Sequence, residues 1–131
     1  MKPKLTIINS VEESVTKISY EIKELNQKEV VDFSSIAILS DNKDFMRKLQ
    51  QHLKIGLIPH TLAKKRSLNT VTVDNIFNFK GLEAPFVFVF MDSESGKSKE
   101  LSYVASSRAR TYLHVFALSS SSLISRAIQA E

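Results

Sequence analysis

Phe86-Val87-Phe88-Val89-Phe90-Met91 is the most hydrophobic run in this sequence, and it closes on Asp92. Six apolar residues without a polar interruption predict a strand covered on both faces, which places it centrally in a parallel sheet. Toward the N-terminus, Ile36-Ala37-Ile38-Leu39 has the same character. Asp41 can cap the helix after it, whose inner face is Phe45, Met46, Leu49 and Leu53. Gly56 stands just past the last turn, where a left-handed capping residue belongs. Further back, Lys4 to Ile8 alternates and reads as a short strand. Ser10 and Glu13 then form a capping box ahead of Val11, Val15, Ile18, Ile22 and Leu25, spaced three and four apart on one helical face. Toward the C-terminus, Val71 and Val73 alternate with threonines in a strand, and Glu100 to Arg110 carries a helical stripe of Leu101, Val104, Ala105 and Ala109. Tyr112 to Leu118 predicts a last strand and Leu123 to Gln129 a short helix. Strand and helix alternate throughout, which is the signature of an α/β sheet.

The chain has 131 residues, enough for one domain over 1–131 and too few for two with separate cores. It is 43% hydrophobic and 24% charged, ordinary for a globular protein, and no apolar run approaches the roughly 18 residues of a membrane span. Cysteine is absent, which removes disulfides and thiolate metal sites and fits a reducing, cytoplasmic setting. His52, His60 and His114 show no ligand spacing. The net charge of +4 is compatible with a polyanionic partner without requiring one.

Two features near the middle imitate a nucleotide site. Gly96-Lys97-Ser98 follows an apolar strand, as a phosphate-binding loop does, but Met91 stands where that loop needs its first glycine. The strand ending in Asp92 resembles the carboxylate strand of the same enzymes, yet Ser93 replaces the second acid. The chain lacks a phosphate-binding loop of its own.

The more informative stretch is Thr72-Val73-Asp74-Asn75-Ile76-Phe77-Asn78-Phe79-Lys80-Gly81-Leu82-Glu83-Ala84-Pro85, which runs directly into the apolar strand. About twenty residues on comes Leu101-Ser102-Tyr103-Val104-Ala105-Ser106-Ser107-Arg108-Ala109-Arg110, followed by another strand. The first resembles motif V of UvrD/Rep-type superfamily 1 helicases, centred on Lys80-Gly81-Leu82-Glu83. The second resembles their motif VI, centred on Tyr103-Val104-Ala105 and Arg108-Ala109. The order and spacing of the pair carry the resemblance, which is specific from about Thr70 to Leu118.

The resemblance implies a second, C-terminal RecA-like domain: a mostly parallel α/β sheet with helices on both faces. ATP with Mg would be held by the first RecA-like domain, which this chain lacks, so the chain alone is expected to be inactive. Arg108 matches the family's arginine finger, whose permanent planar charge suits a transferring phosphate. Glu83 matches the residue that accepts hydrogen bonds from the ribose, and Gly81 lets the chain pass close to the nucleotide. Lys80 either supports phosphates or fixes the loop. Without the motifs, Arg108 reads as an ion-pair partner of Glu100 or Glu83.

Single-stranded nucleic acid, with DNA expected, is the other implied partner. Asn75 and Phe77 occupy positions where the family usually has threonine and histidine. Asn75 can still bond a phosphate; Phe77 either stacks on a base or belongs to the core. Lys64-Lys65-Arg66 reads either as a solvated loop or as a phosphate-backbone contact, and it stands where larger relatives insert an accessory domain. The competing function is a degenerate helicase module that binds nucleic acid or protein without catalysis.

Overall fold

The structure, a computed structural model, describes residues 4–75, 78, 79, 82–91 and 109–118. Six strands form one sheet: β1 (Lys4–Ile8), β2 (Ile36–Ser40), β3 (His60–Thr61), β4 (Val71–Asp74), β5 (Ala84–Met91) and β6 (Ala109–Leu118). Their spatial order is β1-β6-β5-β2-β4-β3, and every pairing is parallel. The α/β expectation holds, and the apolar run at Phe86 lies in β5, between β6 and β2.

Alternation along each strand divides the core in two. Ile36, Ile38, Phe88, Phe90 and Phe116 point to one face, where they meet Val15, Ile18 and Ile22 of α1 (Val11–Lys28) and Phe45, Leu49 and Leu53 of α2 (Lys43–Ile55). Ala37, Leu39, Val87, Val89, Leu113, Val115 and Ala117 point to the other, where the described cover comes from Ala63, Phe79 and Leu82. Both described helices therefore lie on the first face. The segments expected to form helices over Glu100 to Arg110 and Leu123 to Gln129 fall outside the described residues, except for Ala109 and Arg110. Those two are a correction: they begin β6, which starts three residues earlier than its apolar pattern suggests.

The helix signals are mostly local. Ser10 Oγ accepts from the Glu13 amide at 3.1 Å, and Glu13 Oε2 accepts from the Asn9 amide at 3.0 Å, one residue beyond the usual reciprocal bond. Asp41 does not cap α2; Asn42 does, with Oδ1 accepting from the Phe45 amide at 2.8 Å. Ser40 explains the shift, since its hydroxyl donates to the Phe90 carbonyl at 2.9 Å and accepts from the Asn42 amide at 3.1 Å, carrying the turn one residue onward.

Gly56 is also displaced from its expected role. It sits at the C-cap with φ −77°, and the left-handed residue is Leu57, with φ 59°. The Leu57 amide donates to the Lys54 carbonyl at 3.1 Å and the Ile58 amide to the Leu53 carbonyl at 2.9 Å. That pattern is a Schellman closure with leucine where glycine is favoured, sealed by packing of buried Ile58 and Leu53 into one cluster. No described helix is long and apolar enough to cross a membrane.

Candidate functional site

Because the strands are parallel, all their amino ends lie along one edge of the sheet and all their carboxyl ends along the other. The described residues singled out by sequence fall on both. Asn75 follows the carboxyl end of β4, and Glu83 directly precedes the amino end of β5. The chain joins these opposite edges in nine residues, with Phe79 fully buried against the second face as the anchor of the crossing.

At the carboxyl edge the organiser is Asp74, a carboxylate only 5% exposed. Its Oδ2 accepts from the Ala63 amide at 3.0 Å, and its Oδ1 accepts from the Asn75 amide at 2.7 Å and from Asn78 Nδ2 at 2.9 Å. Asn75 Oδ1 in turn accepts from the Asn78 amide at 2.8 Å. The Asn75 oxygen is thus spent on shaping the turn. Ala63 opens a short 3-10 turn, Ala63–Lys65, on which Lys64 and Lys65 stand exposed. Asp74 thereby ties the basic turn to the start of the crossing segment. Sequence reading passed over it; the available signal was an aspartate at a strand end followed by Asn75 and Asn78, residue types that build turns through their side chains.

At the amino edge the organisers are two arginines. Arg66 Nη1 donates to the Glu83 carbonyl at 3.2 Å and Nη2 to the Ser34 carbonyl at 3.4 Å. Its guanidinium carbon lies 5.5 Å from the centroid of the Phe79 ring. Arg66 is therefore engaged with backbone carbonyls of its own fold through both terminal nitrogens.

The Glu83 carboxylate forms an ion pair with Arg110 at 3.3 Å, both side chains being exposed. Arg110 sits in an irregular stretch where Ala84 pairs Ala109 but Phe86 pairs Tyr112, so β6 has one residue more than β5. Pro85 lies opposite that extra residue and has no N–H to give to the ladder. A bulge of this kind re-aims side chains at a sheet edge. Arg110 is an ion-pair partner of Glu83 among the described residues. Phe77, Lys80, Gly81 and Arg108 lie outside the described residues.

The first face holds a separate feature. A cavity of about 230 Å³ lies between the second half of α1 and the starts of β5 and β6, with Phe86 and Tyr112 beside Glu21, Glu24 and Glu29. Burial, aided by the negative charge of Glu21, pushes the Tyr112 phenol up to about 12. Buried His114 lies behind it, with Nδ1 2.8 Å from Glu21 Oε2 and Nε2 2.7 Å from Thr6 Oγ1, so both ring nitrogens are occupied.

Residues 70–116 match the family model of the UvrD-like helicase C-terminal domain. That span contains the crossing segment, Glu83, Arg108 and Arg110. By structure, the chain is similar to the C-terminal domain of a possible DNA helicase from Lactobacillus plantarum WCFS1. The TM-score is 0.70 at 23% identity, covering 88% of this chain and 73% of that one. No curated protein matches the sequence. The family match over residues 70–116, set in a fold shared across most of the chain, supports a UvrD/Rep-type C-terminal domain.

Proposed function

We propose that this chain is the second motor domain of an ATP-dependent DNA helicase, completing an ATP site whose phosphate-binding half lies on a first RecA-like domain. The observation that carries the reading is the setting of Glu83. It stands exposed at the amino edge of the sheet, inside the family-matched segment, on a loop pinned by Phe79, Arg66 and Arg110. A carboxylate held at a fixed place on an open edge can accept hydrogen bonds from a ribose presented by another domain.

In this reading Arg108 supplies the arginine finger, neutralising charge that develops on the transferred phosphate. Gly81 admits the nucleotide, and Lys80 supports phosphates or the loop itself. The first domain would hold Mg with the phosphates, since this chain has no phosphate-binding loop. Single-stranded DNA would run along the carboxyl edge, past Asn75, Phe77, Lys64 and Lys65. With its oxygen engaged by the Asn78 amide, Asn75 would meet a phosphate through its amide nitrogen. Closure of the two domains on ATP and opening after hydrolysis would step the pair along the strand.

The test is ATP hydrolysis by this chain joined to its phosphate-binding domain, with and without single-stranded DNA. Arg108→Ala should lower the DNA-stimulated rate by roughly a thousandfold or more. An unchanged rate sinks the finger assignment. Absence of hydrolysis in a joined protein that binds ATP would favour the non-catalytic module.

A further inference from the structure

Glu83 is gripped at two points by residues to which sequence reading gave other roles or none. Its backbone carbonyl accepts from Arg66, which comes from the connection before β4, and its carboxylate pairs with Arg110, which comes from the bulged start of β6. Arg66 also reaches the Ser34 carbonyl, just ahead of β2, and lies over Phe79. The connections leading into β2, β4 and β5 and the start of β6 are therefore joined through these two side chains.

We infer that Arg66 and Arg110 form a clamp that sets the position of Glu83, and that both are positioning residues for the nucleotide contact. The inference rests on the nucleotide role proposed above for Glu83. Guanidinium geometry explains the choice of residue. A planar fork can donate from separate nitrogens to two carbonyl oxygens while its face lies on an aromatic ring, which an ammonium cannot do. A carbonyl oxygen is also a partner that only the backbone conformation can present, so Arg66 reads out the path of the loop and not merely its charge. Arg110 acts on the other end of the same residue. Its ion pair restrains the carboxylate, so part of the ordering of that side chain precedes the arrival of a ribose.

The clamp separates Arg66 from its two lysine neighbours. Were it a phosphate ligand, its loss would weaken nucleic-acid binding as loss of Lys64 or Lys65 would. As a clamp, its loss should leave nucleic-acid binding alone.

The experiment compares Arg66→Gln, Arg66→Lys, Arg110→Gln and Arg110→Lys in two settings. In the ATP-hydrolysing protein that contains this chain, Arg66→Gln and Arg110→Gln should raise the KM for ATP by about three- to fivefold, the scale of an exposed pair. Their kcat should stay within about twofold, and affinity for a dT oligomer should be unchanged. Arg110→Lys, which keeps the ion pair, should restore KM; Arg66→Lys, which loses the fork, should not. An unchanged KM in both Gln variants overturns the clamp. A drop in oligomer affinity for Arg66→Gln with KM unchanged would make Arg66 a phosphate ligand instead.

The second setting is this chain alone, read by amide hydrogen exchange over Leu82 to Ala84. Both Gln variants should accelerate that exchange several-fold, since the loop loses a tether in each. Unchanged exchange overturns the clamp whether or not the protein hydrolyses ATP. Faster exchange with no hydrolysis by the wild-type joined protein would keep the clamp and remove the nucleotide role of Glu83.

Discussion

Two helices close one face of the sheet, while the described cover on the other comes from short crossing segments. The difference lies in how each satisfies its backbone. A helix pairs its own amides and carbonyls, so α1 and α2 need to offer the core only apolar side chains such as Ile18, Ile22, Phe45 and Leu49. A crossing segment must find partners elsewhere. Asp74 supplies acceptors for the Ala63 and Asn75 amides, and Arg66 supplies donors for the Glu83 and Ser34 carbonyls. On the second face, therefore, charged side chains serve the backbone of the crossing segments, and two of those contacts hold the ends of the segment that leads to Glu83.

If the first face is the stability-bearing one, its aromatic pair should show the largest effect. Phe45 and Phe90 stack at a centroid distance of 4.5 Å, both fully buried. Phe90→Ala should cost about 3–5 kcal/mol in urea unfolding, a large part of what a domain of this size has. A cost under about 1 kcal/mol would break the comparison.

On the second face the corresponding weak point is polar. Asp74→Asn turns an acceptor that takes three hydrogen bonds into a group with one acceptor and one donor end. It should cost about 1–3 kcal/mol, with the loss concentrated in protection of the amides of Ala63 and Asn75. Uniform loss of protection across the sheet would show that the crossing segments are not a separate unit.

The smallest effect has the opposite sign. Val30 and Leu57, at φ 55° and 59°, end the two helices in the left-handed region while about 85% exposed, so neither gains burial in return for the strained backbone. Val30→Gly and Leu57→Gly should each stabilise by up to about 1 kcal/mol, read as a rise in Tm; glycine's greater freedom in the unfolded chain sets that ceiling. A fall in Tm for either would mean that the side chain packs in a way its exposure does not reveal.

The first face was legible in the sequence almost residue by residue. Periods of two and of three to four are properties of neighbouring residues, and Val15, Ile18, Ile22, Phe45, Leu49 and Leu53 all fall where those periods put them. The errors there are one-residue displacements: Asn42 caps in place of Asp41, and Leu57 takes the left-handed position expected of Gly56. The second face was legible as a motif and not as a geometry. Lys80-Gly81-Leu82-Glu83 announced a loop with a carboxylate, but the partners of that loop come from positions 17 residues before it and 27 after. Nothing local to Arg66 distinguishes it from Lys64 and Lys65. Its role follows from the order of strands in the sheet, which sets only β2 between β4 and β5 so that a long side chain from the connection before β4 reaches both Ser34 and Glu83, and from the burial of Phe79 beneath it.

The most direct test of that division of labour is a paired measurement on Glu83→Gln: thermal unfolding of this chain, and the KM for ATP of the hydrolysing protein that contains it. Glu83 is exposed and its ion pair with Arg110 lies at the surface, so Tm should move by no more than about 1–2 °C. Loss of a charged hydrogen-bond acceptor to the ribose should raise KM about tenfold. A clear fall in Tm with KM unchanged would contradict the account, making Glu83 a structural carboxylate and the amino edge no part of a nucleotide site.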